Sequence, residues 1–236
     1  RASETVDRAG AVSEAVYQTG NDVGLNWENI LNYNKEFGAH SLGVTFVQSL
    51  LRNRGENQAA QGFNQLLNYQ LFYALGNATE QVSISSGYEE SSLLSFSGRI
   101  QYGFQDKYLL MLTGRTDGAS QLSPGKKWSF FPAVSAAWRI IEEDFMNDAN
   151  LFSDLKLRAR YGVAGNYSVD PYSTQSLLTR IPFGFDEDPA FGYTFSNQIG
   201  NDDLGWENTT TYNLGIDFGL FQGRLAGTFD MYTATT

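Results

Sequence analysis

The chain has 236 residues, no cysteine and a formal net charge of −10 at pH 7. Without cysteine there is neither a disulfide framework nor a cysteine metal site, and the acidic balance argues against nucleic acid and against polybasic binding to anionic lipid. Aromatics at 14%, 24 glycines and only 5 prolines favour strands over helices. No apolar run of about 18 residues offers a transmembrane helix, which leaves strands untouched, since a barrel strand is only half apolar. The opening R-A-S-E-T-V-D has no apolar region and is not a signal peptide. With no initiator Met, the expectation is a removed leader or an internal fragment.

In chain order, eight segments alternate over a length able to cross a bilayer, about 9–11 residues at a tilt. The first, about 22–33, puts Val23, Leu25, Trp27, Leu31 and Tyr33 on one face; the second, about 40–52, has Leu42, Val44 and Phe46. Between them N-K-E-F-G-A is a hairpin turn with Gly38 available for positive φ. Residues 53–91 read as a long loop, and 62–75 within it as a short amphipathic helix, with Phe63, Leu66, Leu67, Tyr69 and Phe72 at roughly helical spacing. The third strand, about 92–104, sets Leu94, Phe96, Ile100, Tyr102 and Phe104 against Ser95, Ser97, Arg99 and Gln101. Q-D-K turns directly into the fourth, about 107–117.

In the fifth strand, about 127–141, Trp128, Phe130, Val134, Ala136, Trp138 and Ile140 share a face with Pro132, a residue normally found at edges or bulges. E-E-D-F-M-N-D-A-N follows as a short helical turn. The sixth, about 154–165, opposes Leu155, Leu157, Ala159, Tyr161 and Val163 to Lys156, Arg158 and Arg160. The seventh, about 206–219, alternates longest. Trp206, Asn208, Thr210, Tyr212, Leu214, Ile216 and Phe218 face one way, and Glu207, Thr209, Thr211, Asn213, Gly215, Asp217 and Gly219 the other. L-F-Q-G-R turns into the eighth, about 223–235. Long dyad strands with one apolar face are the pattern of an outer-membrane β-barrel.

The joins agree with that plan. Those after strands one, three and seven are tight, whereas 53–91, 118–126 and 166–205 are longer. Short turns on one side and long loops on the other is how such barrels are built. Tyr33, Phe37, Phe104, Tyr108, Trp138, Phe145, Phe218 and Phe221 fall at the short-turn ends, where an aromatic girdle would meet the headgroups.

Four ordered blocks carry a family resemblance: S-F-S-G-R-I-Q-Y-G-F-Q-D-K-Y-L-L (95–110), W-S-F-F-P-A-V-S-A-A-W-R-I-I-E-E-D-F-M (128–146), L-K-L-R-A-R-Y-G-V-A-G-N (155–166) and L-G-W-E-N-T-T-T-Y-N-L-G-I-D-F-G-L-F-Q-G-R-L (204–225). The chain resembles SusC/RagA-type TonB-dependent transporters over about 22–53 and 92–236; residues 54–91 and 167–203 carry no family pattern, and 118–126 departs from it in wording. The resemblance implies a section of an outer-membrane barrel of about 22 strands around a plug, all-β and antiparallel, with long extracellular loops. The expected domain plan is one stretch of barrel wall over 1–236, with the plug and the C-terminal strands outside the chain. The implied partners are a SusD-like surface lipoprotein, the TonB complex through parts absent here, the remainder of the barrel and plug, membrane lipid, and an oligosaccharide or peptide substrate. No nucleic acid, cofactor or metal is expected. The alternatives are a soluble β-rich module that binds glycan without transport, and a β-sandwich carbohydrate-active enzyme.

On the barrel reading the lumen-facing candidates are Glu28, Arg99, Arg115, Arg139, Lys156, Arg158, Arg160, Glu207, Asp217, Arg224 and Asp230. A lipid-facing Arg or Lys costs roughly 2–4 kcal/mol at the midplane, so these should point inward. They either pair across neighbouring strands, the preferred reading, or meet the plug or a polar solute. Arg158 and Arg160 are placed to fork onto carboxylates, and a wall-to-plug ion pair is one such arrangement. Loop aromatics either pack the loops against one another, the preferred reading, or touch a sugar or a lid protein; the candidates are Tyr69, Phe72, Tyr73, Phe183, Phe185, Phe191 and Tyr193. Asp186-Glu187-Asp188 lacks the spacing of a calcium loop and reads as a solvated acidic run. The lone histidine, His40, reads as a turn-side surface residue, and Glu142 and Glu143 sit in a turn unsuited to glycoside chemistry, so no enzyme is expected.

Overall fold

A computed structural model describes residues 14–65, 68–147, 151–185, 188–196 and 199–236. The strands are β1 (Glu14–Phe37), β2 (His40–Gln65), β3 (Ala78–Phe104), β4 (Tyr108–Ala119), β5 (Trp128–Arg139), β6 (Phe152–Asn166), β7 (Leu178–Phe185), β8 (Asp188–Phe195), β9 (Glu207–Leu220) and β10 (Leu225–Thr235). Eight of them form one sheet in the order β1-β2-β3-β4-β5-β6-β9-β10, and β7 and β8 form a separate hairpin. The chain divides into two compact units, 1–25 with 52–91 and 26–51 with 92–236.

In the second unit the tight turns follow from backbone chemistry. Gly38 adopts φ 60°, and Gln105 and Asp106 both adopt φ 53°. Lys107 N–H donates to the Phe104 carbonyl at 3.0 Å. Two consecutive positive φ values give a turn whose twist matches the flanking strands. Phe221, Gln222 and Gly223 repeat the device between β9 and β10.

Pro132 lies inside β5, where it pairs with Gly114 of β4. The ladder from β5 to β6 begins only at Ala133–Gly162, so the proline falls where that pairing stops and no bond is lost. The expected helical turn after β5 is two 3-10 turns, Ile140–Glu142 and Asp144–Met146.

Register fixes two faces. The row Leu112–Val134–Tyr161–Tyr212–Thr233 runs across β4, β5, β6, β9 and β10, and the row Tyr108–Trp138–Leu157–Ile216–Phe229 lies four residues below it. Leu214 is 60% exposed, Phe229 61% and Phe130 61%. A soluble single-layer sheet would need a second layer over such a face. The buried hydrophobic residues among those described are few: Ala15, Ala119, Leu122 and Phe131. The last three belong to a small core at the long-loop end of the second unit. There Ser123 N–H donates to the Leu204 carbonyl (3.0 Å), and Trp206 Nε1 donates to the Lys127 carbonyl (2.9 Å). Trp206 also packs on Phe131 and Tyr167, each at 5.1 Å between ring centroids.

The first unit corrects the reading of 53–91 as loop. β2 and β3 run on through most of it, joined by a 3-10 segment, Asn68–Asn77. The expected amphipathic helix over 62–75 is therefore strand to Gln65 and 3-10 from Asn68. The alternation disappears there because neither side of the ladder is apolar. Arg52 pairs with Glu90, Arg54 with Glu56, and Gln61 donates to Glu14. Backbone pairing needs no apolar face, so strand without alternation reads as loop. The β7–β8 hairpin, inside the predicted loop 166–205, escaped for lack of length.

Candidate functional site

The polar face of the second unit is the candidate site. Three rows cross it in register. The uppermost is Arg99–Thr113–Ala133–Gly162–Thr211, the middle is Gln101–Met111–Ser135–Arg160–Asn213–Tyr232, and the lowest is Gly103–Leu109–Ala137–Arg158–Gly215–Asp230. Arg115, Arg139, Lys156, Glu207 and Asp217 share the parity of this face. Arg224 lies in the turn before β10, and Glu28 is an exposed residue of β1.

The centre of the face is an ion cluster. Arg158, buried, donates from Nε to Asp217 Oδ2 at 2.9 Å and from Nη2 to Asp217 Oδ1 at 2.7 Å, a two-bond fork. Its Nη2 also reaches Asp230 Oδ2 at 3.3 Å. Lys156 lies 3.5 Å from Asp217, and the Thr228 hydroxyl donates to the same carboxylate at 3.1 Å. The acids that Arg158 forks onto thus come from neighbouring strands of the wall itself. Gly215 makes the arrangement possible. It sits in register between Arg158 and Asp230, and a Cβ there would stand 2.8 Å from Arg158 Nη2 and 2.5 Å from Asp230 Oδ1.

Higher on the face Arg115 donates to Asp117 (2.7 Å) and to the Ser95 hydroxyl (3.2 Å), and Asn166 donates to Glu207 (3.1 Å). Arg139 pairs with Glu142 at 2.7 Å. Arg99 and Arg160 have no ion-pair partner among the described residues. A cavity of about 530 Å³ opens on the face, lined by Arg160, Arg158, Lys156, Gln101, Ser135 and Asn34 among others.

On the opposite face, aromatic rings run across the short-turn end: Phe37 on His40 (5.3 Å), His40 on Phe104 (4.8 Å), Phe104 on Tyr108 (6.3 Å) and Tyr108 on Trp138 (6.5 Å). His40 is a ring in this row, bonded to the Tyr102 hydroxyl at 2.7 Å, rather than a plain surface residue. Glu143 ties the polar tips together, accepting from Tyr108 (2.6 Å), Trp138 Nε1 (2.9 Å) and Lys107 (3.4 Å). These bonds, the Tyr108 hydroxyl foremost, hold its carboxyl below the usual range. A second aromatic pair, Phe96 and Trp128 at 6.4 Å, marks the other end. From Trp138 to Trp128 is ten residues of β5. At about 3.3 Å per residue and a tilt of about 40°, that is roughly 25 Å, the height of a barrel's lipid-facing band.

A two-faced antiparallel sheet with a girdle at each end is what the family comparison then meets. The model of the TonB dependent receptor-like β-barrel matches residues 3–236. The chain belongs to this family. It is 33% identical over 228 residues to TonB-dependent receptor P3 of Formosa agariphila, covering 97% of the chain and 23% of that relative. To TonB-dependent receptor SusC of Bacteroides thetaiotaomicron it is 35% identical over 153 residues, 62% of the chain and 15% of the relative. Among solved structures, the RagAB peptide transporter superposes with a TM-score of 0.82 at 25% identity, over 93% of the chain and 24% of the other. The chain is therefore a SusC/RagA-type segment spanning about a quarter of such proteins or less.

The loop candidates are scattered. Phe72 stacks on Tyr73 (4.2 Å) and Tyr17 (6.0 Å), leaving Tyr73 exposed. Tyr69 belongs to the same 3-10 segment, but its side chain lies outside the described set. Phe191, Tyr193 and Phe195 project from β8 with Arg180 stacked 3.4 Å over Phe191. Phe183 and Phe185 lie on β7, their side chains undescribed, and Asp186 and Glu187 fall outside the described residues. The described residues hold no cluster of three metal-ligating groups. Gly215, Asn213 and Glu143 were missed as site residues. A glycine on the small-residue face was legible, but its position opposite Arg158 needs the register.

Proposed function

We propose that the chain is a section of wall and outer loops of an outer-membrane importer, one that takes up oligosaccharides or peptides under TonB and works with a SusD-like surface lipoprotein. The polar face lines a watery lumen that houses a plug, and the apolar face meets lipid. The observation that carries this reading is the belt of exposed apolar side chains closed at both ends by aromatic rows, against an ion-paired opposite face. The relatives support import: one solved neighbour is described as a peptide transporter. Loops carry the choice of solute, which is why glycan and peptide both stand. The test is to delete the full-length gene in its host and follow outer-membrane content and growth on panels of oligosaccharides and peptides. A selective growth defect restored by the gene, with the protein in the outer-membrane fraction and a lipoprotein co-purifying, is expected. A protein that leaves the membrane in plain buffer would refute the reading.

A further inference from the structure

Three observations meet at the middle row of the polar face. Arg160 is exposed and without an ion-pair partner among the described residues, whereas Arg115, Arg139, Lys156 and Arg158 each have an acid. Its register neighbour on β9 is Asn213, whose Oδ1 is buried and accepts no hydrogen bond within the described structure. Arg160 also lines the cavity of about 530 Å³, with the amides of Asn34 and Gln101 and the Ser135 hydroxyl. An exposed guanidinium beside a buried acceptor that no described group satisfies is an arrangement a ligand with an acid and a donor would complete. Arg99, also unpaired, lies on the same face one row higher.

We propose that this is a carboxylate subsite for the imported solute, and that the solute class is anionic. The guanidinium of Arg160 takes the carboxylate. Asn213 Oδ1 accepts a hydrogen bond from the N–H or O–H beside it. An acidic peptide and a uronate-containing oligosaccharide share that chemistry: an acid with a donor close by. Cations lining a lumen favour anions, as they do in anion-selective pores. Of the acids on the neighbouring strands, Asp217 and Asp230 are taken by Arg158 and Asp117 by Arg115, which leaves Glu36 as the acid that lines the cavity with Arg160.

The inference rests on the importer reading, and calorimetry on the full-length protein in detergent tests it. Two matched probe pairs are used: trigalacturonate against its methyl ester, and acetyl-Gly-Asp-Gly-amide against its Asn counterpart. The acid of at least one pair should bind roughly tenfold tighter or more, the worth of a charged hydrogen bond, and the preference should fall with salt. Whichever pair responds names the source of the carboxylate. Arg160→Met should abolish the preference, bringing the acid's affinity down to that of its neutral counterpart, while Arg160→Lys keeps part of it. Asn213→Leu should weaken acid and neutral members alike. Equal binding of acid and neutral in both pairs overturns the proposal, as does a preference that survives Arg160→Met. A photo-crosslinker at position 160 that captures another segment of the same protein in the absence of solute would also overturn it, assigning Arg160 to an internal contact. Failure of the importer reading shows differently, as loss from the outer-membrane fraction.

Discussion

Gly215→Ala probes the ion cluster through the one atom it forbids. The added Cβ would stand 2.8 Å from Arg158 Nη2 and 2.5 Å from Asp230 Oδ1, and the guanidinium must leave its fork to make room. Hydrogen bonds to charged groups contribute about 1.5–3 kcal/mol, and Asp217, 22% exposed, is partly screened, so about 2 kcal/mol of destabilisation is expected. With Arg158→Met already in place the sign reverses. Asp230, freed of its partner, turns away, and replacing a strand glycine with alanine should stabilise by about 0.5–1 kcal/mol. The coupling between the two sites is then about 2.5–3 kcal/mol, well above the error of a double-mutant cycle. Urea unfolding of the full-length protein in detergent, read for the four variants, gives this number. An equal cost of Gly215→Ala in both backgrounds would refute the idea that the glycine exists to seat the arginine.

Glu143 gives a pH signature. Its folded carboxyl lies below the ordinary range, so its stabilisation is fully present above the unfolded value and is lost as pH falls through the lowered folded one. Melting curves of the protein and Glu143→Gln should differ near neutrality and converge in acid; a gap that persists in strong acid would contradict the assignment. On the apolar face, Leu214→Arg should cost roughly 2–4 kcal/mol in membrane insertion, while Ser135→Arg on the polar face should cost little. Folding yields into lipid vesicles separate the two. Trp128 and Trp138, in the two aromatic rows, should be quenched by brominated lipid, and Trp206, packed between Phe131 and Tyr167, should be spared.

How much of this was legible depended on what each segment shows to solvent. All eight strands of the main sheet were readable, because an apolar face and a polar face impose a period of two. The tails of β2 and β3 were not: R-N-R-G-E-N-Q and the S-G-Y-E-E stretch are mostly polar on both sides, and backbone pairing with ion pairs such as Arg52–Glu90 holds them as strand. The charged residues of the wall could be enumerated, but their pairing could not. Arg158 and Asp217 are 59 positions apart, brought together by the jump from β6 to β9 over the β7–β8 hairpin. Asn213 carried no signal, since an orphaned acceptor is a property of register.

The central claim is that one face of β9 meets lipid and the other water. The chain has no cysteine, so single cysteines from 209 to 218, introduced into a full-length protein free of other cysteines and spin-labelled, would be read by electron paramagnetic resonance against oxygen and a water-soluble nickel chelate. The account predicts a period of two: 210, 212, 214, 216 and 218 accessible to oxygen, and 209, 211, 213, 215 and 217 to the chelate or to neither. Uniform access along the strand, or chelate access at 214 and 216, would contradict it.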